Sequence, residues 1–140
     1  MYDHFTKENR WLSNFWPAKA WYEGVCFPTT ENAYQAAKVA DPDVRKGFVG
    51  IKASEAKKKG GEIEMRPDFE NVKLEIMEEL NRQKFTYSAE LKAKLLATGN
   101  QDLIEGNWWG DQFWGVCSGK GQNNLGKILM KIRKELQEKA

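Results

Sequence analysis

The sequence predicts an α+β fold, mainly α-helical with a small β-sheet, in a single domain over residues 1–140. Three observations predict it. Apolar residues recur at helical spacing in separate stretches around Ala33–Ala40, Val72–Leu80, Leu91–Leu96 and Ile128–Leu136. Strand signals are short and few, the clearest being Ala20–Phe27. No internal repeat, linker or low-complexity tract interrupts the 140 residues, a length that supports one ordinary core.

The elements follow in order. Residues 20–27 read as a hairpin turning at Glu23-Gly24. Pro28-Thr29-Thr30 opens a helix, because a threonine hydroxyl caps free N–H groups. Ala33, Ala36, Ala37 and Ala40 form its buried stripe, and Asp41-Pro42 is expected to end it. Residues 43–60 suggest one or two short helices closed by Gly60-Gly61. A longer helix is expected from Pro67 to about Lys84, with Val72, Ile76, Met77 and Leu80 facing in. Ser88 caps the next helix, which packs through Leu91, Leu95 and Leu96 and stops at Gly99. Leu103-Ile104 suggests a brief strand. The last helix is expected over Leu125–Glu138, with Ile128, Leu129, Ile132 and Leu136 inward.

Composition excludes several classes. Lys+Arg 22 against Asp+Glu 20 leaves a net charge of +2, which argues against a strongly basic nucleic-acid arm. Cys26 and Cys117 stand alone, so neither a disulfide scaffold nor a cysteine zinc site is expected. His4 is the sole histidine, which argues against a histidine metal site or a Ser-His-Asp triad. No long apolar run or signal peptide is visible, and a cytoplasmic protein with no membrane partner is expected.

Residues 105–126 carry the strongest chemical signal. Three of the six tryptophans, two acids and six glycines fall within these positions. Glycines allow close backbone approach, flat aromatics stack on sugars and bases, and acids handle protons or stabilise positive charge. Asp111, Trp114 and Gly115, with Glu105 upstream, suit a ribose whose carbon becomes cationic as a glycosidic bond breaks. The plain alternative is a turn aspartate beside a core tryptophan. Gly119-Lys120-Gly121 before Asn123 or Asn124 suggests free N–H groups at a helix start, an anion site suited to phosphate, or else an ordinary glycine turn and cap. Gly121-x-x-x-x-Gly126-Lys127 approaches a P-loop, but Ile128 stands where a hydroxyl must hold magnesium, so an NTPase is rejected. On the early helix, Glu31, Gln35 and Lys38 share one side, with Glu31 in the first turn. They form either a functional row or a solvent-facing salt-bridge row. The Lys57-Lys58-Lys59 run reads as a solvated face.

The ordered set of motifs resembles the NADAR superfamily of YbiA-like proteins. It comprises Leu12-Ser13-Asn14-Phe15, then Pro28-Thr29-Thr30-Glu31-Asn32-Ala33-Tyr34-Gln35-Ala36-Ala37-Lys38, then Arg66-Pro67-Asp68-Phe69 with Met77 downstream. Lys84-Phe85, Leu96 and Thr98, Glu105, Asp111 and Trp114-Gly115 follow. Gly119-Lys120-Gly121-Gln122-Asn123-Asn124-Leu125-Gly126, Leu129-Met130 and Arg133 close the series. The resemblance implies an N-glycosidase without metal or cofactor. Its substrate would be a riboflavin-pathway ribosyl phosphate or an ADP-ribose adduct of guanine, free or in nucleic acid. Glu31, Asp111 and Lys38 would be catalytic. Phe15 and Trp114 would wall the base or sugar, and Phe69 and Gly115 would also bind substrate. Gly119, Lys120, Gly121 and Asn123 would hold phosphate, and Ser13, Asn14, Gln35 and Arg66 would supply polar contacts. Three positions depart from the family pattern: Asn32 replaces a histidine, Phe69 a tryptophan, and Gly60-Gly61 a Gly-Arg pair. A non-catalytic ADP-ribose or nucleotide-binding module is the main alternative. A nucleic-acid adaptor using the aromatics and the lysine run is the third.

Overall fold

The computed structural model describes residues 2–139. It is mainly helical, with four short strands among the described residues. Two units can be separated, Asn14–Lys84 and Met1–Ser13 with Phe85–Ala140.

In the first unit, β1 (Pro17–Tyr22) and β2 (Val25–Thr29) form an antiparallel hairpin, with Ala20 opposite Phe27 and Tyr22 opposite Val25. Its turn residues Glu23 and Gly24 both take positive φ, at 48° and 79°. That conformation matches the twist of the flanking strands, which is why a Gly belongs there. Gln83 pairs its side-chain amide with the backbone of Trp21, accepting at 2.8 Å and donating at 2.9 Å.

Helix α1 (Thr30–Ala36) begins at the Thr29 cap, whose hydroxyl accepts from the Asn32 N–H at 3.0 Å. It stops four residues short of the expected Ala40, and Ala40 is exposed rather than part of the buried stripe. Asp41-Pro42 starts a helix instead of ending one. Asp41 caps α2 (Pro42–Lys46), and Pro42 occupies the first turn, where its missing N–H costs nothing.

Helix α3 (Ala53–Glu62) runs through Gly60-Gly61 rather than closing there. Gly60 is needed for packing: a Cβ at that position would overlap the Gln35 side-chain oxygen. Helix α4 (Phe69–Tyr87) buries Met77 and Leu80 fully, while Val72 and Ile76 are only half-buried.

The second unit holds a 3-10 helix at Lys7–Leu12, then α5 (Ala89–Ala97) and α6 (Asn124–Lys139). Ser88 caps α5 by accepting from the Leu91 N–H at 3.2 Å, and Gly99 beyond its end has φ 64°. On α6, Ile128, Leu129, Ile132 and Leu136 are buried as expected, and Arg133 donates to Thr98 Oγ1 at 3.0 Å. The expected strand at Leu103-Ile104 is displaced. Leu103 forms an isolated bridge with Tyr2, while β3 (Gly106–Asn107) pairs in parallel with β4 (Val116–Cys117). The small sheet is therefore two separate two-stranded sheets.

Candidate active site

Helix α1 is the chemical centre of the Asn14–Lys84 unit. All seven of its residues are buried, so the salt-bridge row facing solvent does not exist. Glu31 is 7% exposed and Gln35 5%. The Gln35 amide donates to Glu31 Oε1 at 2.8 Å. Glu31's own N–H donates to the Asn14 carbonyl at 3.0 Å. Its carboxylate lies in the first turn, where helix N–H groups favour negative charge.

Asn14 is buried and tied to α4. Its amide donates to Met77 Sδ at 3.4 Å and its oxygen accepts from the Asn81 amide at 3.3 Å. Among the described residues, Thr30 Oγ1, Gln35 Oε1 and Asn81 Oδ1 are buried oxygens without a hydrogen-bond partner. Buried polar atoms are normally satisfied, so each of these three exceptions calls for an explanation.

Lys38 lies in the turn after α1, half-buried. Its Nζ is 3.5 Å from the Gly60 carbonyl oxygen and 5.8 Å from the centre of the Tyr34 ring. Loss of hydration lowers its pKa; Glu31 and Glu70 pull the other way, and Lys73 adds to the lowering. The acid and the amine are thus electrostatically coupled within one short segment.

Two of the three departures from the family pattern acquire separate explanations. Asn32 is fully buried and triply engaged. Its oxygen accepts from the Thr29 hydroxyl at 2.6 Å, and its amide donates to the Phe48 and Ile51 carbonyls at 2.8 Å each. It fastens the loop after α2 to the start of α1. Phe69 is 1% exposed and packs on Tyr34 at 5.5 Å between ring centres, so its ring serves the core. Of the Gly60-Gly61 pair, Gly60 gives Gln35 its room, whereas Gly61, the residue in the place of the arginine, faces open space.

Arg66 is not free to grip a phosphate through its fork. Its Nε and Nη2 donate to the two Asp68 oxygens at 2.6 and 2.8 Å, which raises the guanidinium pKa and lowers that of Asp68. Phe15 is 41% exposed, with Lys57 Nζ 6.0 Å from its ring centre, so one lysine of the run meets an aromatic side chain.

In the other unit, Asp111 organises its own turn. Its Oδ1 accepts from the Phe113 and Trp114 N–H groups at 3.1 and 2.9 Å, leaving Oδ2 without a protein partner among the described residues. Asn107 braces this turn: its oxygen accepts from the Asp111 N–H at 3.0 Å and its amide donates to the Asp111 carbonyl at 2.8 Å. Trp114 meets Phe113 edge-on at 4.8 Å. Gly115 is required because a Cβ would run into the Glu105 backbone and carboxylate. Trp108, by contrast, is 81% exposed.

The N–H groups leading into α6 are taken within the protein, in the manner of a turn and cap. Gln122, Asn123, Asn124 and Leu125 donate to the carbonyls of Gln112, Gly115, Phe113 and Trp114 respectively. The Asn123 side chain accepts from the Glu105 N–H at 2.9 Å and donates to the Leu103 carbonyl at 3.0 Å. The N–H of Lys120 bonds back to Cys117 across the Ser118-Gly119 turn, and Gly119, Lys120 and Gly121 are exposed. Only the Lys120 side chain keeps the charge suited to an anion. Ser13 is the C-cap of the 3-10 helix, with its N–H donating to the Arg10 carbonyl at 2.9 Å.

The structure thus assembles Asn14, Glu31, Gln35 and Lys38 in one unit, and Asp111, Trp114, Gly115 and Asn123 in the other. Asn81 and Asn107 escaped the sequence reading, and Lys84 entered it only as a motif residue without a role. Asn81 and Lys84 continue the Met77 stripe at i+4 and i+7, so two polar residues on an inward face were the available signal. Lys84 is 2% exposed, and burial draws its pKa down to about 7. Among the described residues, no group of three or more His, Cys, Asp or Glu could hold a metal ion, and no helix is long and apolar enough to cross a membrane.

The sequence matches the family model of the NADAR domain over residues 1–137. The chain belongs to the NADAR family. A riboflavin biosynthesis protein of Vibrio vulnificus is 37% identical over 133 residues, which cover 92% of this chain and 36% of that protein. N-glycosidase YbiA of Escherichia coli is 36% identical over 131 residues, covering 89% of this chain and 80% of YbiA. An N-glycosidase of Nostoc punctiforme is 33% identical over 133 residues, covering 90% and 85% of the two chains. The chain therefore spans about a third of the Vibrio protein and most of the two N-glycosidases. The solved structure of E. coli YbiA matches with a TM-score of 0.85 at 32% identity, over 99% of this chain and 88% of that one. At family level, this NADAR chain is a hydrolase of the N-glycosidase type.

Proposed function

We propose that this chain hydrolyses the N-glycosidic bond between a ribose and a base, in a ribosyl phosphate or an ADP-ribose-type substrate. The observation that carries the reading is the buried Glu31 carboxylate, held by Gln35 in the first turn of α1 and electrostatically coupled to the half-buried Lys38. As the bond to the base breaks, positive charge grows on the ribose carbon. A fixed carboxylate in a poorly hydrated place stabilises that charge more strongly than water does.

Glu31 is the acid at the ribose carbon; in the other unit, Asp111 offers a carboxylate whose Oδ2 is uncommitted. Lys38, its pKa lowered by burial, hands a proton to the departing base or acts as an amine nucleophile. Gln35 holds the carboxylate, and Asn14 and Gln35 supply polar contacts to the sugar. Phe15 offers the base or sugar an aromatic wall; in the other unit, Trp114 offers an aromatic face and Lys120 a positive charge. Ser13, Gly115, Gly119, Gly121 and Asn123 shape the backbone of these segments, and Arg66 and Phe69 act from behind. The names of the Vibrio relative and of a maize chloroplast relative favour a riboflavin-pathway ribosyl phosphate as substrate.

A panel of ribosylaminopyrimidine phosphates and ADP-ribosylated guanine in nucleic acid, read by mass spectrometry, tests the reading. Wild type is expected to release base, while Glu31→Gln keeps binding and loses on the order of a hundredfold or more in kcat. Binding by wild type with no base released across the panel would favour the non-catalytic module instead.

A further inference from the structure

We infer that Arg66, together with Arg45 and Tyr22, is a positioning clasp for Lys38, fixing the turn that carries the amine rather than touching substrate. This rests on the reading above, in which Lys38 acts with Glu31.

The last carbonyls of any helix lack intrahelical partners, and cations are favoured at that end. Here three successive carbonyls beyond α1 are taken by two arginines. Arg66 Nη1 lies 3.5 Å from the Ala37 oxygen and donates to it. The Arg66 backbone N–H donates to the Lys38 carbonyl at 2.7 Å. Arg45 Nε donates to the Val39 carbonyl at 2.8 Å.

Tyr22 joins the two arginines. Its hydroxyl accepts from Arg66 Nη1 at 2.9 Å, and its ring lies 5.0 Å from the Arg45 guanidinium carbon. Asp68 grips the remaining edge of Arg66 with both oxygens. Every nitrogen of the Arg66 guanidinium is therefore engaged within the protein, and its planar fork sets the angle at which the turn is held.

The consequence falls on the amine. A helix of seven residues has little stability of its own, and the turn beyond it has less. With the clasp intact, Lys38 Nζ is kept half-buried between Tyr34 and the Gly60 carbonyl. The charged groups that act on it there are Glu31 on α1 and Glu70 and Lys73 on α4. Releasing the turn lets the flexible lysine stem reach water, where an amine returns to its ordinary pKa of 10.5.

The test uses the whole protein without substrate, then with it. Lysines are dimethylated with carbon-13, and the Lys38 signal is assigned by its loss in Lys38→Arg. The Lys38 titration is then followed in wild type, Arg66→Gln, Arg45→Gln and Tyr22→Phe. The expected result is a midpoint that moves up in Arg66→Gln and Arg45→Gln, and by less in Tyr22→Phe. With substrate, kcat falls by on the order of tenfold to a hundredfold while KM changes little.

Unmoved Lys38 midpoints in all three variants would overturn the clasp. So would a rise in KM with kcat intact, which would make Arg66 a substrate contact. Should Arg66→Gln fail to fold, Tyr22→Phe removes only a hydroxyl and decides by the same titration. Full turnover by Lys38→Arg would refute the catalytic reading of Lys38, while the titration would still judge the clasp.

Discussion

Lys84 makes the stability of this protein depend on pH in a window set by one amine. Its side chain is 2% exposed, and burial draws its pKa from 10.5 down to about 7. Above pH 10.5 the amine is neutral in both folded and unfolded chains and contributes no pH dependence. Between about 7 and 10.5 the unfolded chain holds a proton that the folded chain has shed. Stability must therefore rise with pH through this window, by up to about 1.4 kcal/mol per pH unit. Below about 7 both forms are protonated and the dependence disappears. Integrated from pH 7 to pH 9, the gain is about 2 kcal/mol, or roughly 8 °C in melting temperature for a domain of this size. Other groups titrate as well, so the quantity to measure is a difference. Urea unfolding of wild type and Lys84→Met at half-unit steps from pH 6 to pH 9.5 supplies it. Wild type should gain about 2 kcal/mol on the variant between pH 7 and pH 9, with little change below pH 6.5. Parallel curves for the two proteins, or a wild type that loses ground as pH rises, would refute the burial argument.

Three further outcomes are expected. Asn32→Asp turns two buried amide donors into acceptors facing the Phe48 and Ile51 carbonyls, so it should cost about 3 kcal/mol or more; a loss under 1 kcal/mol in chemical denaturation would contradict that role. Gly60→Ala drives a methyl group into the Gln35 side chain. Denaturation should show a loss of about 1–3 kcal/mol, with turnover falling as Gln35 leaves Glu31. Asp111→Asn keeps an oxygen for the Phe113 and Trp114 N–H groups but removes the charge. It should melt within a few degrees of wild type yet lose turnover, whereas Asp111→Ala should lose about 1 kcal/mol of stability as well. Equal activity of Asp111→Asn and wild type would remove Asp111 from the chemistry.

Features governed by a few neighbouring residues were legible before any coordinates. The Glu23-Gly24 turn, the caps at Thr29 and Ser88, and the inward stripe of α6 all followed from local rules, because their partners lie within four residues or one helical face. The ordered motifs also gave the family, since that signal lies in the order of residues along the chain. Even locally, however, competing readings were settled by contacts. Asp41-Pro42 is chemically suited both to end a helix and to begin one, and it begins α2.

Whether a polar face meets water depends on what covers it, and that is a matter of tertiary structure. Periodicity correctly placed Glu31 and Gln35 on one side of a helix, while Lys38 falls in the turn beyond its end. It could not tell that the other elements leave Glu31 and Gln35 no more than 7% exposed. The glycine-rich approach to α6 stayed open between two readings for the complementary reason. Its residues suit an anion nest, but the carbonyls of Gln112–Gly115 fold back and take the N–H groups first. Lys84 fits the same pattern: a lysine is ordinarily a surface residue, and only its enclosure draws its pKa down to about 7. The sequence by itself determined the stretches that become helical, the caps at Thr29 and Ser88, and the family. The tertiary structure decided which polar groups were withdrawn from water, because hydration is lost to neighbours distant in the chain and no local pattern records them.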